Sequence, residues 1–520
     1  MKFSDYIVDF LLDQGINTVF SYPGEQIMDI YRELEDSPIR NILVRHEQGA
    51  AHMADGYARI TNYVGVCLAT AGPGATNLTT GIYTAYKDSS STLALTGRCE
   101  RKYINKNYFQ EVDTGFLNIY RGYLLDRADP KILIRAFNQC LRSKKPVSLS
   151  LPRDVVNMEV ELEEGEEVVE GDTLEEKIEI EDTPVKKPLI LIGQGIYGTL
   201  KYRDIVKIGK ILKKLKIPFA TTFPARGVVE ETYNYNLGLV GRRGTPTANR
   251  YLLESDRIIS VGASLSYNTI PESIRENILK RITPLNIGVN SIDSIKYLVE
   301  EINETLPGVK PPERDIPVWE LGDYSSKILE ILKNIPEDGV VVTDAGNHTV
   351  FVSLLRVCKL ARSIISSHSM GTMGFGLPAS IGVKFGCIDY NIPREVISIS
   401  GDGGFQMNLQ ELSTLEENNL KILLIVMKNN RLNGFSSIKN PDFNRVAEGY
   451  NIDNTYIEDI GDIKSHIKYY LKRNKPYLMV VECEDEKLPA KTYRKTARDE
   501  RISRVVPPLP LGPPRPCVPR

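Results

Sequence analysis

The chain has 520 residues, a formal net charge of −2 from 65 Lys and Arg against 67 Asp and Glu, and seven Cys. Near-neutral charge excludes nucleic acid or an anionic membrane surface as a main partner, and no apolar run is long enough to cross a bilayer. The length exceeds what one hydrophobic core supports, so three domains are expected. The Cys show no Cys-x-x-Cys pair and the N-terminus reads straight into a helix, which gives an expectation of reduced thiols in a cytoplasmic protein.

In chain order, an amphipathic helix from Phe3 to Gln14 closes at Gly15, placed for a helix C′ position. Apolar runs then alternate with helical segments: Thr18 to Phe20, Ile42 to Val44, Gly65 to Thr70, Ser91 to Thr96 and Val147 to Leu151. That alternation predicts a doubly wound parallel sheet over residues 1–158. Residues 159–187 form an acidic linker that includes Glu161 to Glu167. A second α/β domain over 188–306 opens with Pro188 to Ile192 and Gly193-x-Gly195-x-x-Gly198. Its next strand, Ile217 to Thr222, ends without the acid that a dinucleotide site places there, so NAD is excluded. A Pro-rich linker over 307–330 leads to a third domain over 331–489, with strands at Gly339 to Asp344, Val396 to Ser400 and Lys421 to Met427 and a helix from Met407 to Glu416. Residues 490–520 read as a basic, Pro-rich tail. The fold class is α/β, with three parallel-sheet domains.

The chemistry concentrates at two strand ends of the third domain. Gly401-Asp402-Gly403 follows one apolar strand and Asn429-Asn430 follows the next. A carboxylate and an amide carbonyl brought to one sheet edge are hard oxygen ligands, suited to Mg²⁺ held together with a phosphate, and the glycines let backbone N–H groups approach that phosphate.

These motifs resemble those of the thiamin-diphosphate-dependent enzymes that act on 2-oxo acids, in the acetolactate synthase large-subunit branch. Also matching are Val44 to Ala51 around Glu47, Ala54 to Arg59, Ala71 to Asn77, and Gly371 to Ala379. The resemblance implies pyrimidine-binding, central and diphosphate-binding domains. It implies that Glu47 hydrogen-bonds N1′ of the aminopyrimidine and so drives removal of the thiazolium C2 proton. It implies Asp402, Asn429 and the backbone carbonyl of Arg431 as Mg²⁺ ligands. Gly401, Gly403, Gly404 and Phe405 are expected at the diphosphate, with Asn347 and His348 nearby. Gly371, Met373 and Gly434 are expected around the cofactor, Met373 as the wedge that bends it. Gln110, in Phe109-Gln110-Glu111, is expected to face the substrate. FAD sits in the central domain of acetolactate synthases. Here Ala225-Arg226-Gly227 and Gly241 to Thr245 partly match, but the expected Arg-rich segment reads Ser264-Leu265-Ser266-Tyr267, so FAD is left open.

Three departures fall on the substrate side. Glu25 stands where synthases have Gly; decarboxylases of 2-oxo acids put a proton-handling acid there. The stretch through Tyr120 to Tyr123 lacks the Thr-Lys pair of synthases, and Gly434 to Ile438 lacks their Trp, the single Trp being Trp319. The expectation is a carboligase that decarboxylates pyruvate or a related 2-oxo acid and transfers the two-carbon unit to a second carbonyl compound, a reaction type of branched-chain amino acid biosynthesis, with non-oxidative decarboxylation to an aldehyde as the alternative. Glu25 is expected either to handle a proton at the reacting centre or to cap the following helix, Gln26 to Leu34. The cofactor must touch the first and third domains, which implies a homodimer or a tetramer built from dimers. A regulatory subunit is left open.

Overall fold

The computed structural model describes residues 1–160, 184–285, 289–315, 320–432, 434 and 436–488. Most of the acidic linker, Trp319 and the whole tail lie outside the described residues.

Three wholly parallel sheets build the molecule. The first contains β1 (Thr18–Ser21), β2 (Arg40–Leu43), β3 (Gly65–Ala69), β4 (Thr92–Arg98), β5 (Arg121–Leu124) and β6 (Val147–Pro152), in the order β2-β1-β3-β4-β6-β5. The second contains β7 (Pro188–Ile192), β8 (Phe219–Thr221), β9 (Asn236–Leu239), β10 (Arg257–Val261) and β11 (Ile282–Leu285), ordered β11-β10-β7-β8-β9. In the third, β12 (Val340–Thr343), β13 (Ile364–Ser366), β14 (Val396–Gly401) and β15 (Ile422–Lys428) precede a small hairpin, β16 (Arg431–Leu432) with β17 (Ser436–Ser437). Then come β18 (Asp453–Ile457) and β19 (Tyr477–Glu482), and the sheet order is β13-β12-β14-β15-β19-β18. The central strands are buried on both faces and therefore read as continuous apolar runs. The sequence reading misses β5, an edge strand of Arg121, Gly122, Tyr123 and Leu124 without a buried apolar run.

The first and third sheets have the same topology: numbered within its own domain, each runs 2-1-3-4-6-5. The two domains pack through equivalent helices. Glu47–Thr61 follows the second strand of the first domain, and Gly376–Asp389 follows the second strand of the third. Their contact is reciprocal. Gly56 lies directly on the carbonyl of Ala379, and Gly382 lies directly on the carbonyl of Met53, so neither site has room for a Cβ. Two small-residue positions thus bring the backbones together and fix how the two sheet edges are aimed.

A buried ion network ties the same interface. Arg59 forms a fork on Asp55 (2.7 and 2.6 Å), reaches Asp88 at 3.2 Å and donates to the Ser366 carbonyl at 2.7 Å. Asn62 joins all three domains: its Nδ2 donates to the Leu200 carbonyl (2.7 Å) and its Oδ1 accepts from Arg362 (2.9 Å).

Two local expectations change. The expected helix from Met407 to Glu416 is broken: a turn of helix over Asp402–Phe405 runs into a 3₁₀ segment, Gln406–Glu411, kinked at Asn408, before Leu412–Glu417. The N-terminal helix ends at Asp13, and Gly15 takes the left-handed conformation, φ +74°.

Candidate active site

All strands of a parallel sheet deliver their C-terminal ends to one edge, where open α/β sheets bind ligands. The first sheet presents Glu25 after β1, Glu47 after β2, Thr70 to Gly74 after β3, Gln110 after β4 and Arg153 after β6. The third presents Asp344, Asn347 and His348 after β12, Gly371 and Met373 after β13, Asp402 after β14 and Asn429 after β15.

Glu47 is the first residue of its helix and is buried, at 8% exposure. Asn77 Nδ2 donates to Glu47 Oε2 at 2.9 Å, while a Cβ on Gly74 would lie 3.3 Å from Glu47 Oε1. Gln110 is held at φ +58°, an uncommon conformation for a residue with a side chain, and its buried Oε1 has no hydrogen-bond partner among the described residues. It packs against Gly72: a Cβ there would meet Gln110 Cα at 3.0 Å. The structure therefore places Glu47 and Gln110 on the two sides of the Gly72–Gly74 turn.

Glu25 does not cap the following helix. It opens a 3₁₀ turn, Glu25–Ile27, ahead of Met28–Asp36, and neither element has a side-chain cap. Its Oε1 accepts instead from Arg153 Nη1 at 3.0 Å. The capping expectation is corrected on this point.

On the third sheet, Asp402 is buried and well oriented. Oδ1 accepts the Gly403 N–H at 2.8 Å; Oδ2 accepts the Asn430 N–H at 2.7 Å and Asn440 Nδ2 at 2.8 Å. Each carboxylate oxygen has more than one acceptor site, so oxygen capacity remains for a cation. Gly403 was expected to offer its N–H to the diphosphate; it gives that N–H to Asp402, because the side chain folds back over its own helical turn. Gly404 packs on the Asp344 carboxylate, at 2.9 Å from a Cβ position to Cγ, and Gly403 lies on Leu432 and near Met373 Cε. Asn429 Oδ1 accepts the Arg431 N–H at 3.1 Å, and Asn429 Nδ2 faces Asp485 Oδ1 at 3.4 Å. Gly434, at φ +72°, turns the hairpin beside Asp485. Gly371, at φ +69°, has open space on its Cβ side.

Asp344 organises this edge from below. Its carboxylate accepts from the backbone N–H groups of Ala345, Gly374 and Gly376, and burial raises its pKa to about 6. His348 Nε2 meets the Asp344 carbonyl at 2.9 Å, and burial lowers its pKa to about 4, so the ring is neutral near pH 7. A Cβ on Gly401 would meet His348 Nδ1 at 3.4 Å. Asn347 opens the Asn347–Leu355 helix. Asp344 ends an apolar strand run and Asn77 ends the matching segment Ala71 to Asn77, but neither has a role assigned by sequence; Asn440 and Asp485 carry no single-sequence signal beyond being polar.

Residues 1–116 match the family described as thiamine pyrophosphate enzyme, N-terminal TPP binding domain; 184–306 match its central domain and 344–481 its C-terminal TPP binding domain. A probable acetolactate synthase large subunit of Methanocaldococcus jannaschii is 30% identical over 99% of this chain and 96% of its own length. The chain belongs to the thiamin-diphosphate-dependent enzymes of the acetolactate synthase large-subunit family. The acetolactate synthase isozyme 2 large subunit of Escherichia coli is 31% identical over 93% of this chain and 96% of its own. An uncharacterised protein of M. jannaschii is 56% identical over 94% of this chain and 98% of its own. The fold is shared with a solved structure of a thiamin diphosphate-dependent enzyme from Mycobacterium smegmatis, at TM-score 0.75 and 19% identity, covering 94% of this chain and all of the other.

The residues fit thiamin diphosphate on the geometry above: a buried, oriented carboxylate at one edge, and oxygen donors beside a glycine turn at the other. No group of three His, Cys, Asp or Glu side chains could hold a metal among the described residues. Asp402 and Asn429 instead present two oxygen side chains at one sheet edge, a donor set that a hard cation would complete with phosphate oxygens.

The FAD expectation meets a different geometry. A cavity of about 1480 Å³ opens at the C-terminal edge of the central sheet, lined in part by Gly195, Thr222, Arg242, Arg243 and Ser264. The Gly-rich loop spends its N–H groups on protein: Gly193 on Val261, Gly195 on Gly262, Ile196 on Gly193 and Gly198 on Gly195. That loop cannot cradle a pyrophosphate in the manner of a dinucleotide fingerprint, which agrees with the exclusion of NAD; FAD stays open.

Proposed function

We propose that this chain is a Mg²⁺-dependent carboligase that decarboxylates pyruvate or a related 2-oxo acid and transfers the two-carbon unit to a second carbonyl compound. The observation that carries the reading is the pair of complementary edges: the Asn77-bound carboxylate of Glu47 on one, and Asp402 with Asn429 on the other. Acetolactate synthases at about 30% identity over nearly the whole chain support the reaction type.

Thiamin diphosphate, when bound, supplies the carbon nucleophile and the electron sink that decarboxylation requires. Glu47, buried and held by Asn77, would exchange a proton with the pyrimidine N1′. Asp402 and Asn429 provide oxygen for Mg²⁺, with the Arg431 carbonyl as a third donor. Gln110, whose buried Oε1 has no partner among the described residues, would face the substrate.

Among the described residues, no hydrogen bond or ion pair joins Glu47 to Asp402, Asn429 or Asp344. Both edges also carry exposed large apolar side chains: Tyr22, Tyr108 and Phe109 on the first, Met370 and Met407 on the third. Such surfaces mark interaction sites. The reading is therefore a homodimer, or a tetramer of dimers, in which one copy's first edge faces the other copy's third edge.

Glu25 keeps the second reading in view, a non-oxidative decarboxylase releasing an aldehyde. Incubation with pyruvate, thiamin diphosphate and Mg²⁺ decides between them: acetolactate supports the carboligase, acetaldehyde the decarboxylase, and unconsumed pyruvate contradicts both.

A further inference from the structure

The ion pair of Glu25 with Arg153 spans two strand ends of the edge that carries Glu47. Arg153 is the first residue of a short turn, Arg153–Val156, directly after β6. Besides the 3.0 Å contact to Glu25, its Nε lies 3.8 Å from Asp29 Oδ2. The side chains of Arg153 and Glu25 are 37% and 64% exposed, so the pair is hydrated and weakly held. A guanidinium offers five N–H donors, and that of Arg153 donates one hydrogen bond, to Glu25, among the described residues.

The backbone beside this pair connects by packing to the Glu47 loop. Gly24, beside Glu25, packs directly on the Thr70 side chain; Thr70 in turn lines the Gly74 position that touches Glu47. Three buried polar atoms on the same edge, Thr70 Oγ1, Arg98 Nε and Gln110 Oε1, have no hydrogen-bond partner among the described residues. Buried polar groups in native proteins are satisfied, so this edge is prepared for a polar ligand.

We propose that Arg153 is the specificity-determining residue of the acceptor side: it binds the carboxylate that an acceptor 2-oxo acid retains, and Glu25 occupies the arginine between turnovers. The inference rests on the carboligase reading and names the class of its second substrate. A donor 2-oxo acid loses its carboxylate as CO₂, and an arginine fixed on that group would stabilise the ground state against the reaction. The acceptor keeps its carboxylate, with the same charge before and after the bond forms. An arginine on that group contributes uniform binding, which shows in KM and not in kcat. The weak Glu25 contact is the right kind of placeholder. It orients the guanidinium toward the edge, and an incoming carboxylate replaces it like for like.

The test compares two acceptors that differ only in the carboxylate, 2-oxobutanoate and propanal, with pyruvate as donor. Arg153→Gln should raise the KM for 2-oxobutanoate at least about tenfold and leave that for propanal within about twofold; Arg153→Lys should recover part of the loss. Glu25→Gln should lower the KM for 2-oxobutanoate, because the competing carboxylate is gone. Equal effects on both acceptors, or no effect on either, overturn the assignment. A second measurement needs no turnover. Holoenzyme assembled with a non-reactive thiamin diphosphate analogue is titrated with 2-oxobutanoate by calorimetry, and Arg153→Gln should weaken binding about tenfold or more. Equal affinity in wild type and variant, or no binding to wild type, overturns the role of Arg153. Failure of the wild type to consume pyruvate would instead count against the carboligase reading.

Discussion

Glu411 of the third domain accepts the backbone N–H of His46 in the first, at 3.0 Å, one residue before Glu47. The same carboxyl group accepts the Arg45 N–H and the Thr414 hydroxyl and is fully buried. It occupies the space where Gly49 lacks a side chain. The base of the Glu47 loop is thus held by a different domain. Burial pushes the Glu411 carboxyl up to about 7 from an ordinary 4.5. A folded-state pKa above the unfolded one contributes stability below pH 4.5 that is lost as pH rises through 7. The stability of wild type relative to Glu411→Gln should therefore fall across that window, by up to about 3 kcal/mol, and level off on either side. Denaturant midpoints of the two proteins from pH 4 to 8 measure this; a constant difference contradicts it.

Asp402→Ala should weaken Mg²⁺-dependent binding of thiamin diphosphate by ~30-fold or more, about 2 kcal/mol, because the diphosphate loses its charge bridge. It also leaves the Asn430 N–H and Asn440 Nδ2 without their acceptor. Calorimetry with and without Mg²⁺ reads both effects, and unchanged affinity would show that the diphosphate binds elsewhere.

Glu47→Gln keeps size and shape and retains an acceptor for Asn77, so the fold and cofactor binding should persist. Exchange of the thiazolium C2 proton should slow by roughly 10²-fold or more, since an amide cannot share a proton with N1′. NMR of that exchange in the assembled holoenzyme gives the answer. A wild-type rate in the variant would remove Glu47 as the activator.

The proposed pairing of the two edges requires at least two copies of the chain. Light scattering at working concentration should report a dimer or tetramer. Wild-type activity should fall on dilution, and mixing the inactive variants Glu47→Gln and Asp402→Ala should restore activity, because hybrid dimers would regain one site with both groups intact. Full activity in a monomer contradicts the arrangement.

Glu25→Gly should raise the ratio of ligated product to aldehyde formed from pyruvate if Glu25 handles a proton at the reacting centre, and should alter the pH profile of turnover. Product analysis by gas chromatography reads the ratio. An unchanged ratio and profile would leave Glu25 as no more than the partner of Arg153.

The sequence alone determined the fold class, the family and the main apolar strands, but not β9, β11, β13, β18 or β19. Strands buried on both faces must be apolar throughout, so β3, β4, β14 and β15 were legible as runs. The residues proposed for the site sit at strand ends in fixed local motifs, which is why Glu47, Asp402 and Asn429 could be singled out in one chain. The edge strand β5 was not legible, because half-exposed residues carry no burial pattern. Nor was the kink at Asn408, which depends on its contact with the Gly374 carbonyl. Only the tertiary structure showed that the first and third sheets share a topology and interlock at Gly56 and Gly382. It alone paired Glu25 with Arg153 and set Glu411 beneath Glu47, residues 128 and 365 positions apart in the first and His46–Glu411 cases. Contacts at such separations depend on how whole domains pack, and no local propensity or motif encodes them.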